Sequence, residues 1–178
     1  AREISALRLA VGDHDGAVAA LRAWLDEHPD DATLQGLLGR LLIELERRDE
    51  GLAALREVVR LRPEDPLALN NLAWYLVASE PAEALRLAER AHAKASENLA
   101  IIDTLARARS ANQDHTGAER LLRDALVREP GRVELRLSLA NALEAAGNAA
   151  AARTEVEAIL AKDPEHATAK ALLARLAP

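Results

Sequence analysis

Four stretches of the chain share one alternation of apolar and polar positions. They are LRAWLDEHPDD (21–31), LREVVRLRPED (55–65), LRDALVREPGR (122–132) and VEAILAKDPEH (156–166). In each, apolar residues recur at i, i+3 and i+4, as in Leu21, Trp24 and Leu25. This is the stripe of an amphipathic helix. A proline follows each stripe, at 29, 63, 130 and 164. Proline disfavours helix in the residue before it and so ends the element. The proline spacings are 34, 67 and 34. The long one hides a fifth copy, AERAHAKASEN (88–98), in which Ser96 takes the place of proline. GDHDGA (12–17) and QDHTGA (113–118) mark two equivalent helix starts. The chain therefore divides into a first partial unit, 1–31, then units 32–65, 66–98, 99–132 and 133–166, and a last helix, 167–178, that covers the end of the stack. No apolar run approaches the roughly 18–20 residues that cross a bilayer.

The pattern resembles the tetratricopeptide repeat, a helix–turn–helix unit of about 34 residues. In that family, small residues occupy positions 8 and 20 of a unit. Here position 8 is Gly39, Ala73, Ala106 and Ala140, and position 20 is Ala17, Gly51, Ala84, Ala118 and Ala152. Departures are Trp24 and Val58 at the usually small position 27, a residue missing before Pro81, and Ser96. A hairpin of this kind cannot bury its apolar face alone, so units stack. The resemblance implies an all-α fold: a right-handed superhelical solenoid with a C-terminal capping helix, forming a single repeat domain.

Composition agrees. Apolar residues are 49% of the chain, and the aromatics are Trp24, Trp74 and Tyr75 alone. Ala and Leu favour helix over strand. The net charge is −6, and the mixed charges belong to solvated faces rather than a nucleic-acid-binding surface. Absence of Cys excludes disulfides and thiolate chemistry, and fits cytoplasm and periplasm alike. With no Met, residue 1 is not expected to be a native start, so further repeats are expected upstream. His14, His28, His92, His115 and His166 form no metal-binding spacing. The DHDG stretch at 13–16 lacks the other ligands of a calcium loop, and Asp13 reads as a helix cap. No nucleophile–base set or phosphate-cradling loop is present. No cofactor, metal or catalytic residue is expected, and the chain is read as non-enzymatic.

Function then falls to the concave groove. In the family it is lined by positions 2, 5, 6, 9, 12 and 13 of each first helix. These positions supply Arg40, Asn70, Asn71, Trp74, Asp103, Thr104, Arg107 and Asn141 as candidate binding residues. Trp74 is expected in the groove between Arg40 and Arg107, Tyr75 between helices, and Trp24 in the seam between the first two units. A Trp flanked by Arg and amides suits a peptide with an acidic or aromatic side chain, or a saccharide. The carboxylate clamp of chaperone-tail readers is not expected: Asn71 matches it, but Gly36, Ala100 and Thr104 do not. The stretch from Leu69 to Ala106 is also similar to C-terminal repeats of bacterial envelope proteins associated with exopolysaccharide secretion and the exosortase sorting system. That similarity implies a periplasmic or envelope-associated scaffold binding a partner protein. The alternatives are a polysaccharide-binding module and the substrate-recruiting arm of an enzyme whose catalytic domain lies elsewhere. Ile4 and Leu7 at one end, and Leu172 to Leu176 at the other, are expected to permit pairing with a second copy.

Overall fold

A computed structural model describes residues 2–176, apart from the side chain of Leu7. Among the described residues there are helices and no strands. In chain order these are α1 (Arg2–Ala10), α2 (His14–Glu27), α3 (Ala32–Glu44), α4 (Arg48–Leu61), α5 (Pro66–Leu76) and α6 (Pro81–Lys94). They continue with α7 (Leu99–Ala111), α8 (His115–Arg128), α9 (Val133–Ala145), α10 (Ala149–Leu160) and α11 (Ala167–Arg175). Each odd-numbered helix up to α9 packs on the next as a hairpin, and α11 packs on α10. The odd helices also stack on one another, α5 on α7 and α7 on α9. The expected solenoid is therefore the observed architecture.

Helix starts follow from local chemistry. The side chains of Asp13, Asp31, Asp65, Asn98, Asp114 and Asn148 accept hydrogen bonds from the backbone N–H groups that open α2, α3, α5, α7, α8 and α10. Such caps satisfy donors that have no partner inside the helix. Pro66 and Pro81 occupy first-turn positions, where a missing N–H costs nothing.

The turns inside the hairpins show why one repeat is a residue short. In four of the five, the chain passes through a left-handed residue: Gly12 (φ 78°), Glu46 (φ 61°), Gln113 (φ 68°) and Gly147 (φ 78°). Each is followed by an N–H that reaches back five residues, Asp13 to Arg8, Arg47 to Leu42, Asp114 to Arg109 and Asn148 to Leu143. This is the helix-ending motif in which a left-handed residue lets the next amide satisfy an orphan carbonyl. Between α5 and α6 the left-handed residue is absent, and Glu80 N–H bonds instead to Leu76 O, four residues back. The deletion before Pro81 thus removes one step of the turn and leaves both flanking helices in place.

The core is a row of leucines and alanines running the length of the stack. Leu21, Leu42, Leu69, Leu72, Leu76, Ile101, Ile102, Leu105, Leu122, Leu139 and Leu143 are essentially closed to solvent. Ala73, Ala84, Ala88, Ala91, Ala118, Ala140 and Ala152 are fully buried where helices approach most closely. Glycines mark a close approach of α3 to α4. A Cβ added at Gly51 would lie 2.6 Å from Gly39 O, and one added at Gly39 would lie 3.0 Å from Gly51 O.

The outer faces carry ion pairs that tie successive hairpins together. Arg22 pairs with Glu50, Arg56 with Glu80 and Glu83, and Lys94 with Glu64, while Arg175 pairs with Glu144 on the groove side. At the first helix Ile4 is exposed, as expected of an uncovered end. At the last, Leu172 and Leu176 are turned inward and buried, because α11 lays its apolar side on α10 rather than presenting it outward.

Candidate functional site

Arg40 of α3, the later half of α5, the first turns of α7 and the start of α9 border one open cleft of about 750 Å³. The small residues of the repeat set this geometry, because they hold the paired helices close and leave the exposed sides of α3, α5, α7 and α9 in register. Six of the eight candidate residues line the cleft: Arg40, Asn70, Asn71, Trp74, Asp103 and Thr104. Arg107 and Asn141 instead border a neighbouring hollow of about 480 Å³, with Ser138 and His115.

Trp74 stands between the cleft and a smaller recess that it shares with Arg48, Val77 and Arg107. It is 43% exposed. The Arg107 guanidinium carbon lies 4.6 Å from the Trp74 ring centre, within cation–π range. Arg107 is held there from behind. Its Nε donates to Asp103 Oδ2 at 3.0 Å, one turn earlier on α7. Ser138 on α9, buried, donates to the other oxygen of Asp103 and accepts from Arg107 at 3.4 Å. A polar chain therefore runs from α9 through α7 to the indole on α5. It fixes one face of Trp74 and leaves the rest of the ring to the cleft.

The other candidates differ in what they can still offer. Arg40 and Asn71 are exposed and make no side-chain hydrogen bond among the described residues. Asn70 is 8% exposed, and its Oδ1 is closed from solvent without a donor. Thr104 is buried, and its hydroxyl is spent on Ala100 O at 2.9 Å. Asn141 is engaged on both sides, donating to Leu137 O at 2.9 Å and accepting from Arg175 at 3.1 Å. Arg132 and Glu134, at the start of α9, line the cleft but escaped the sequence reading. Glu134 sits at position 2 of its unit, a groove position, so the register alone could have found it. Arg132 lies in the preceding turn, where no register position points to the groove.

The structure corrects the expectation for Trp24. It does not fill the seam between the first two units: it is 37% exposed and stacks flat on His28, ring centres 3.9 Å apart. Its Nε1 donates to Asp31 Oδ2 at 3.2 Å, and it borders a hollow with Ile4 and Thr33. Position 27 faces a close helix contact, and an indole is too large for it, so the ring lies over the next turn of α2 instead. Tyr75 is half-buried against the α4–α7 core, as expected, and its edge also reaches the cleft.

Among the described residues no three His, Asp or Glu side chains converge as metal ligands. Among the described residues no helix is long and apolar enough to cross a membrane.

Comparison with known proteins agrees with this construction. A tetratricopeptide repeat family model matches residues 8–75 and 109–176. No curated protein matches the chain in sequence. Among solved structures, a tetratricopeptide repeat protein from Parabacteroides merdae superposes with a TM-score of 0.87 at 15% identity, over 98% of this chain and 68% of that one. MamA from Desulfovibrio magneticus RS-1 gives 0.79 at 17% identity, over 93% and 94%. YrrB, described as having an unusual peptide-binding site, gives 0.72 at 17%, over 93% and 86%. At these identities the structural likeness speaks for the fold, whereas the family model covers most of the sequence. With its repeats, its small-residue contacts and its family match in agreement, this chain belongs to the tetratricopeptide repeat family.

Proposed function

We propose that the protein is a non-catalytic interaction scaffold that holds an extended segment of a partner protein in its concave cleft. The observation that carries this reading is Trp74: a large aromatic side chain, fixed on one face by Arg107 and open on its remaining edge to a cleft of about 750 Å³. Trp and Arg are the residues most enriched at binding hot spots. A half-exposed indole held in place by a second residue is preorganised, so little conformational entropy is lost when a partner covers it. Membership of a family of interaction modules supports the scaffold, and YrrB is a fold neighbour described as binding a peptide. A bacterial envelope setting is part of the proposal. It rests on the similarity of residues 69–106 to envelope repeats, and cell fractionation of the native protein tests it.

The test of the cleft is a screen against an unbiased peptide library, followed by titration of the best binder with Trp74→Ala. Loss of a hot spot of about 2 kcal/mol lowers affinity roughly 30-fold. Binding that survives Trp74→Ala unchanged would move the partner to another surface.

A further inference from the structure

Two demands in the cleft remain unmet by the protein itself. The first is an acceptor. Asn70 lines the cleft, and its Oδ1 is closed from solvent with no donor in reach. Leaving such a group unpaired costs about 1–3 kcal/mol. Its neighbours show that the fold can satisfy buried polar groups here, since Thr104 and Ser138 both have partners. The second demand is charge. Arg40 and Arg132 line the cleft, exposed, and neither side chain takes part in an ion pair or hydrogen bond among the described residues. Nearby arginines are used up: Arg107 on Asp103, Arg48 on the Tyr75 carbonyl, Arg175 on Glu144. Of the carboxylates lining the cleft, Asp103 is engaged by Arg107 and Ser138, which leaves Glu134 alone without a partner. The uncommitted charge of the lining is therefore positive, on a chain whose net charge is −6.

Arg40 is on α3, and Arg132 immediately precedes α9. α5 stacks on α7 and α7 on α9; with α3 to α5 as a further step, three steps of roughly 8–10 Å separate them. At roughly 3.3 Å per residue, an extended chain crosses that span in about seven to nine residues. Along the way it passes Trp74, Asn71 and Asn70.

Resting on the peptide reading above, we propose that the segment the cleft takes is acidic. Its carboxylates meet Arg40 near one end and Arg132 near the other, and the Asn70 amide turns its closed oxygen out to a backbone N–H between them. Arg40 and Arg132 then set which partner is accepted, while Asn70 sets that the chain lies extended. Rim charges of this kind act chiefly on selectivity, association rate and salt dependence.

Fluorescence anisotropy with three labelled nonapeptides tests this. The peptides share the same apolar residues and carry Glu, Gln or Lys at the same two positions near the ends. Titrations are made at low salt with the parent, Arg40→Glu and Arg132→Glu, each checked for folding by circular dichroism. The Glu peptide is expected to bind about tenfold tighter than the Gln peptide, and each reversal to remove most of that margin. Equal binding of the Glu and Gln peptides by the parent, or an unaltered margin in both reversals, overturns the acidic assignment and leaves the peptide reading standing. If none of the three binds and no member of an unbiased peptide library binds either, the peptide reading itself falls. Polygalacturonate, added as a fourth probe, overturns both if it binds through Arg40 and Arg132 where no peptide does.

Discussion

Gly39 on α3 and Gly51 on α4 face each other so closely that each backbone occupies the space of the other's missing side chain. A methyl group at Gly51 would lie 2.6 Å from Gly39 O and 2.5 Å from Ile43 Cγ1. Two effects oppose each other in Gly51→Ala. Alanine in a helix is favoured over glycine by about 0.5–1 kcal/mol. The clash is with backbone, which cannot swing aside, and overpacking a core costs about 1–3 kcal/mol. The clash is the larger, so a net loss of about 1–2 kcal/mol is expected in denaturant melts. Gly131→Ala is the control. Its added Cβ meets nothing within 4 Å, and the variant should melt within about 0.5 kcal/mol of the parent.

The two left-handed residues that are not glycine predict the opposite sign. Glu46 and Gln113 have φ of 61° and 68°, in turns where Gly12 and Gly147 serve the other repeats. An L side chain in that conformation costs about 1–2 kcal/mol. Replacement by glycine removes that strain but gives the unfolded chain more freedom to lose, worth up to about 1 kcal/mol. Glu46→Gly and Gln113→Gly are each expected to raise stability by about 0.5–1 kcal/mol. A fall in either melting temperature would mean that the side chain contributes more than its conformation costs.

Much of this could be read from the chain before any coordinates. The 34-residue spacing of Pro29, Pro63, Pro130 and Pro164 fixed where helices end, and the small residues at Gly39, Gly51, Ala84 and Ala118 fixed which faces meet. Both are short-range effects that repeat, so the signal accumulates. Trp24 was misplaced because its position in the repeat gave the contact but not the room available there. Nor did the sequence announce that Ser138 would reach across from α9 to Asp103. That bond depends on the separation of two helices 35 residues apart in the chain. The orphan on Asn70 was hidden for the same reason: register places the side chain in the groove but does not count its partners.

The surface ion pairs make stability depend on acid. Arg47 and Arg22 both donate to Glu50 and hold its carboxyl down at about 2. Arg56 lowers Glu80, Lys94 lowers Glu64 and Arg60 lowers Glu57, each through a side-chain hydrogen bond. In the unfolded chain a glutamate titrates near 4.3. A carboxylate whose pKa is lower in the folded state stabilises the fold above the unfolded value, and that stability disappears as pH falls through the folded one. The melting temperature is therefore expected to decline between about pH 4.5 and pH 2. These groups are exposed and screened by salt, so the decline should be shallower at 1 M NaCl. Glu50→Gln should flatten its lower end, where Glu50 titrates. A parent profile flat through this range would show that the pairs persist in the unfolded chain or do not form.

Trp74 and Trp24 offer a comparison within one molecule. A tryptophan in a packed core costs about 3–5 kcal/mol on truncation to alanine. Neither residue meets that description, at 43% and 37% exposure. Trp74 loses a cation–π contact worth about 0.5–1 kcal/mol at an exposed site, together with partial burial. Trp24 loses the His28 stack and one hydrogen bond to Asp31, each worth about 1 kcal/mol. Both variants should thus retain most of the parent's stability, falling by about 1–2 kcal/mol. They should separate in binding. Trp74 borders the cleft, whereas Trp24 borders a different hollow beside α1. With a peptide that the parent binds, Trp74→Ala should lose affinity roughly 30-fold and Trp24→Ala by less than about threefold. Equal losses of binding would extend the contact surface from the cleft to the first helix. A drop of 3–5 kcal/mol in Trp24→Ala would return that indole to the seam between the first two hairpins.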